Sequence, residues 1–99
     1  MFFTTLRSQR KSCHFTQDEV AFLLGGVCGT KVTRYERGTR TPPLETVLAL
    51  EIIYGTSARD LFPDQYRTMQ KQITKRARAL LKTNRGSPYK RQHLKAIIT

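Results

Sequence analysis

From Gly25 to Pro63 glycines and prolines fall so regularly that no helix between them has room for more than about three turns. Gly25-Gly26, Gly38, Pro42-Pro43, Gly55 and Pro63 supply the stops. Glycine enters the left-handed region cheaply and proline bars helix continuation. Between the stops the apolar residues recur at three and four, the period of short helices.

Between Thr4 and Cys13, Leu6, Arg10 and Cys13 share one helical face. Thr16 followed by Glu19 is a capping box, so a second helix begins near Gln17, turns Val20, Ala21, Leu23 and Leu24 inward and ends at Gly25-Gly26. In a third helix, Lys31 to Arg37, Val32 and Tyr35 lie on one side and Thr30, Thr33, Arg34 and Arg37 on the other. A fourth runs from Leu44 to Tyr54 with Leu44, Val47, Leu48, Leu50 and Tyr54 toward the core, and Ser57 caps a short fifth turn, Ala58 to Phe62. Five helices in some 60 residues make an all-α domain over 1–63.

Residues 64–99 read as a helical extension. Tyr66, Met69, Ile73, Ala77, Leu80 and Leu81 form an apolar stripe with Arg67, Lys71, Lys75, Arg78 and Lys82 on its flank, which predicts a long amphipathic helix over 64–83. Asn84-Arg85-Gly86-Ser87-Pro88 breaks it, and Tyr89 to Ile98 forms a further short helix or frays.

The formal charge of +11 points to a polyanionic partner, and its distribution is uneven. Residues 1–63 hold eight Lys and Arg against six Asp and Glu, whereas residues 64–99 hold ten against one. Other classes drop out. There is no apolar run of about 20 residues for a membrane helix. The opening Met1-Phe2-Phe3 lacks the apolar centre and cleavage site of a signal peptide, so a cytoplasmic location is expected. Cys13, Cys28, His14 and His93 have no metal-ligand spacing, both thiols are expected to stay reduced, and no cofactor is called for. No nucleophile has a base at readable spacing and no glycine-rich phosphate loop is present, so an enzyme is not expected.

The ordered set Leu6, Arg10, Thr16-Gln17-Asp18-Glu19, Ala21, Leu24-Gly25, Val32-Thr33-Arg34-Tyr35-Glu36-Arg37-Gly38, Pro42, Leu44-Glu45-Thr46 and Gly55 resembles the helix-turn-helix regulators of the lambda-repressor-like (Cro or XRE) type. The resemblance covers roughly residues 4–62. It implies a five-helix DNA-binding domain whose third helix, about 29–37, lies in the major groove. It also implies base contacts from Gly29, Thr30, Lys31 and Arg34, with Arg34 the first choice because its fork matches O6 and N7 of guanine. Gln17 corresponds to the family's phosphate clamp, and Thr33, Arg37, Thr39 and Arg40 are further backbone-contact candidates.

Arg10 and Glu36 both fall on inward faces, where an unpaired charge is costly. The resemblance implies that they form a salt bridge. Glu51 stands where the family usually has a small apolar residue, and two partners are open to it, Arg10 or a nearby hydroxyl. The turn Gly25-Gly26-Val27-Cys28 holds one residue more than the family's commonest pattern, which could rotate the recognition helix. Cys28 occupies a capping position as a small, weakly polar residue or as an oxidation-sensitive thiol.

Three roles compete for residues 64–99. The stripe Tyr66, Met69, Ile73 and Leu80 joins a second chain, the cationic flank grips phosphate, or the stripe packs on its own domain. Arg76 interrupts the heptad seam, so a long coiled coil is not expected. Together these features predict a sequence-specific regulator of transcription that binds a two-fold double-stranded DNA operator as a homodimer, with RNA polymerase or a toxin as further partners. An antitoxin that autoregulates its operon, or a protein or RNA adaptor of the same fold, is the alternative.

Overall fold

The computed structural model describes residues 1–26, 28–83 and 86–99, and over those residues it is all-helical, with no strand. Its elements are α1 (Leu6–Ser12), α2 (Gln17–Leu23), α3 (Gly29–Arg37), α4 (Leu44–Tyr54), α5 (Ala58–Leu61), α6 (Pro63–Thr83) and α7 (Pro88–Ile98). Val27 of the Gly25-Gly26-Val27-Cys28 turn and the Asn84-Arg85 part of the break lie outside the described residues. The chain divides into two compact units, Met1–Tyr66 and Arg67–Thr99.

In the first unit the local signals act as their chemistry dictates. Glu19 N–H donates to Thr16 Oγ1 at 3.1 Å and Thr16 N–H donates to Glu19 Oε1 at 2.8 Å, closing the capping box of α2. Gly25 and Gly26, at φ 98° and 82°, follow the end of that helix. Leu6, Val20, Ala21, Val32, Tyr35, Leu50, Tyr54, Leu61 and Phe62 form one buried cluster, flanked by Phe2, Phe15, Leu24, Val47 and Ile53.

Four apolar or weakly polar positions expected inside are instead exposed. Leu44 and Leu48 join Ile52 on the outer side of α4, because this helix is apolar all round and the i, i+4 row 44-48-52 lies opposite Leu50 and Tyr54. Leu23 is half-exposed, lying off the narrow arc of Val20, Ala21 and Leu24. Cys13 is exposed because α1 ends at Ser12.

The first five residues strap the unit together. Phe2 N–H donates to the Gly38 carbonyl at 3.2 Å, Thr4 Oγ1 to the Glu36 carbonyl at 3.2 Å, and Thr5 N–H and Oγ1 to the carbonyls of Leu61 and Asp60 at 3.0 and 2.7 Å. Gly38 allows this crossing: its φ is 71°, and a Cβ there would collide with the Phe2 carbonyl.

Glu51 settles on neither of the partners open to it from sequence. Its Oε1 accepts from Ala58 N–H at 2.5 Å, so it caps the start of α5 together with Ser57. A carboxylate satisfies an orphan amide there and suits the positive end of the helix.

In the second unit, α7 starts at Pro88, one residue earlier than its periodicity predicts, with Ser87 as cap. It folds back along α6: Arg91 Nη1 donates to the Leu81 carbonyl at 3.3 Å, and Ile97 and Ile98 share an open groove with Arg67 and Lys71. Ala77 and Leu94 are the buried apolar residues of this hairpin among those described.

Candidate nucleic-acid interface

The third helix is held on one face and offered on the other. Val32 and Tyr35 are buried in the core, while Thr30, Arg34 and Arg37 are exposed and Lys31 is half-exposed. Its C-terminus closes in a Schellman pattern, with Thr39 N–H donating to the Arg34 carbonyl at 3.0 Å and Gly38 N–H to the Tyr35 carbonyl at 3.1 Å. Thr39 Oγ1 also donates to the Arg34 carbonyl at 3.2 Å. Backbone groups at the end of α3 are thus satisfied internally, leaving the charged side chains of Arg34 and Arg37 outward.

A polar network fastens α3 to α1 and α2. Arg10 Nε donates to Glu36 Oε2 at 2.6 Å and Arg10 Nη2 to Glu36 Oε1 at 3.2 Å, a bidentate pair whose side chains are 13 % and 5 % exposed. Arg10 Nη1 donates to the Phe15 carbonyl at 3.1 Å. The hydrogen bond to Glu36 raises the Arg10 pKa further, against the opposing effect of burial. Burial, reinforced by the Glu36 charge, pushes the Tyr54 phenol up to about 12.

Gln17 belongs to this network as well. Its Nε2 donates to Glu36 Oε1 at 3.1 Å and its Oε1 accepts from Thr33 Oγ1 at 3.1 Å. Sequence gives Gln17 and Thr33 as independent phosphate contacts; in the structure they fix each other's orientation. A Cβ on Gly29 would sit 3.0 Å from Asp18 Oδ1, the end of an exposed side chain that can give way.

An open groove runs beside the network, lined by Arg7, Thr16, Gln17, Thr33, Arg37 and Thr39 among others. It gathers four of the five expected backbone-contact residues; Arg40, exposed in the following loop, is not among those lining it. The groove adds Arg7, which sequence reasoning missed. The available signal was its position three residues before Arg10 on α1, one turn along a neighbouring face.

Cys28 stands at the N-terminal boundary of α3, fully exposed. The Thr30 hydroxyl, then the Thr30 amide, lowers its pKa from the ordinary thiol value. Among the described residues no group of three or more His, Cys, Asp or Glu is placed to hold a metal ion, and no helix is long and apolar enough to cross a membrane.

The groove, the outward arginines and the fastened helix coincide with a family match. The helix-turn-helix family model matches residues 6–61, more than half of the chain. No curated protein and no solved structure matches the chain.

Proposed function

The chain belongs to the lambda-repressor-like, Cro-type helix-turn-helix family of DNA-binding regulators, and on that premise we propose that it recognises a specific operator and acts there, in the cytoplasm, as a homodimer. The α3 helix enters the major groove, Arg34 reads a guanine through O6 and N7, and Gly29, Thr30 and Lys31 meet the neighbouring bases. Gln17, Arg37 and Arg40 hold the phosphates on either side, and Thr33 and Thr39 join them by turning their hydroxyl protons from Gln17 and the Arg34 carbonyl to phosphate. Gln17 is suited to this because one Nε2 proton is committed to Glu36 and the other is available to an anion.

The observation that carries the reading is the division of α3: Val32 and Tyr35 locked inside, Thr30 and Arg34 outside. A helix pinned this way presents donors without spending conformational freedom at the moment of binding. The reaction cycle needs no catalytic group, because occupancy of a promoter changes the access of RNA polymerase.

Dimerisation is assigned to Met69, Ile73 and Leu80, which are each 41–51 % exposed along one side of α6. Tyr66, at the head of the same stripe, lies in the first unit under the Arg59 guanidinium, 5.1 Å from its ring centre. A second copy placed stripe to stripe supplies the two-fold symmetry of an operator with half-sites roughly 34 Å apart.

Selection of bound duplexes from a random pool tests the reading. The wild-type chain should enrich one two-fold sequence, Arg34→Ala should lose preference at one base pair in each half-site, and Ile73→Glu should sediment as a monomer. Enrichment of no sequence by the wild type removes the proposal.

A further inference from the structure

We propose that α6 carries a second, sequence-independent nucleic-acid site: a row made by Arg67, Lys71, Lys75, Arg78 and Lys82 that lies along the phosphate backbone of double-stranded DNA. The inference deepens the operator reading, on which it rests for the identity of the polyanion.

The row is a matter of helix geometry. Spacings of four, four, three and four put the five side chains on an arc of about 80° over a length of about 22 Å. All five residues lie within one uninterrupted helix and all are exposed. Residues 67–99 contain ten Lys and Arg and no Asp or Glu. The acid at the start of α6, Asp64, lies three residues before Arg67 and accepts from Phe3 N–H, so no acid stands at i ± 3 or i ± 4 from the other four cations of the row. Like charges at i, i+3 and i, i+4 destabilise a helix. A polyanion relieves that repulsion and releases its own counterions in return.

The rest of the hairpin leaves the row accessible. Ala77 and Leu81, which face α7, occupy a neighbouring arc of α6, with Ala77 and Leu94 buried between the helices. Arg67, Lys71 and Arg78 border the open groove that ends at Ile97 and Ile98. Met69, Ile73 and Leu80 lie about 160–180° around the helix from the centre of the row. Pairing with a second copy therefore covers a different face from the one that meets phosphate, and both occur at once.

The composition of the arc selects nucleic acid over a lipid surface. An interfacial helix inserts large apolar residues beside its cations. Between the five cations this arc carries only polar residues, with Thr74 at one edge and Thr68 at the other. The apolar residues nearest the row, Ile97 and Ile98, are half-buried at the end of α7. Cations on an arc that itself presents no large apolar residue suit a phosphate backbone, which is recognised by charge and spacing alone.

The full chain with all five positions changed to Gln, which keeps length and helix propensity, tests the site. Binding is measured to a duplex lacking the selected operator and to the operator itself, across a salt series. Each neutralised phosphate contributes about 0.9 to the slope of log K against log salt, so the slope should fall by roughly 4.5 on both duplexes while the enriched sequence stays the same. The double variant Lys71→Gln/Lys75→Gln, less exposed to folding defects, should lose about 1.8 of slope. Slopes equal to wild type in both variants overturn the proposal. So does loss of binding to phosphatidylserine vesicles with the duplex slope intact, which assigns the row to a membrane. A wild-type chain that selects no operator yet shows the slope change sinks the sequence-reading assignment and leaves the row standing.

Discussion

Two parts of one chain solve the problem of order differently. Met1–Tyr66 closes nine buried apolar residues into one cluster and adds a bidentate ion pair, two side-chain helix caps and an N-terminal strap. Arg67–Thr99 buries Ala77 and Leu94 among its described residues and carries ten cations without an acid. Below about 40 residues a chain rarely stabilises itself without a metal, a disulfide or an oligomeric partner. The first unit is thus built to hold a fixed surface before its ligand arrives. The second, with two buried apolar residues and an exposed stripe, has far less within it to hold its two helices in place.

The largest expected effect breaks the first of these descriptions. Glu36→Ala leaves Arg10 in a mostly buried site with no counter-charge and removes the acceptor that orients Gln17. Losing one member of a buried pair costs about 3 kcal/mol or more, so the urea midpoint should fall steeply and operator binding should fall with it. The paired change Arg10→Met/Glu36→Leu, which removes both charges, should recover most of that stability. Near-equal midpoints for wild type and Glu36→Ala would mean that the network is decoration on a core that stands without it.

A second substitution of similar intrinsic size separates the units. Leu94→Ala removes one of the two buried apolar side chains of the hairpin and costs about 2–3 kcal/mol. A unit with so little else buried should lose α7, visible as loss of amide protection over Pro88–Ile98 with protection over Met1–Tyr66 unchanged. In the larger cluster, Leu50→Ala costs a comparable amount but should leave every helix in place. Identical protection of α7 in wild type and Leu94→Ala would show that other contacts hold the hairpin.

The difference between the units also governs how much could be read from sequence. Where one residue type satisfies one local need, the reading was direct: the capping box at Thr16 and Glu19, the stop at Gly38, the pairing need of two inward charges. The inner and outer faces of α4 were not separable, because an all-round apolar helix has no polar side to mark solvent. Periodicity therefore assigns Leu44 and Leu48 to the inward face, and the structure exposes both. The partner of Glu51 is an amide seven residues on, and only the geometry of the Gly55–Ser57 turn brings it into reach. Gln17 and Thr33 were legible as candidate ligands of phosphate, but their mutual hydrogen bond depends on how α2 and α3 cross. The family match over residues 6–61 accordingly identifies the scaffold better than it identifies individual contacts.

A smaller effect sharpens the account of the first unit as a set of satisfied helix ends. Glu51→Ala deletes the acceptor of the Ala58 amide and should cost about 1 kcal/mol, with Glu51→Gln losing roughly half as much because a neutral acceptor remains. Urea denaturation of both variants at neutral pH checks this. Two variants indistinguishable from wild type would reduce the carboxylate to a surface charge.

The smallest effect at neutral pH becomes readable in alkali. Tyr54 lies in the core beside the charged pair, and its phenol titrates near 12 in the folded protein against an ordinary value of 10. Between those values the unfolded chain has released the phenolic proton while the folded chain still holds it, so the folded state binds more protons and unfolding becomes easier as pH rises. The contribution is whole below pH 10 and disappears on the way to 12. Tyr54→Phe has no proton to lose, and charges shared by both proteins cancel in their difference. Wild type should therefore fall in stability relative to Tyr54→Phe across that interval, with Tyr89→Phe, at an exposed site in the second unit, as the paired control. Parallel stability curves for wild type and Tyr54→Phe from pH 9 to 12 would place that phenol in water and remove it from the inner wall against which Arg10 and Glu36 are held.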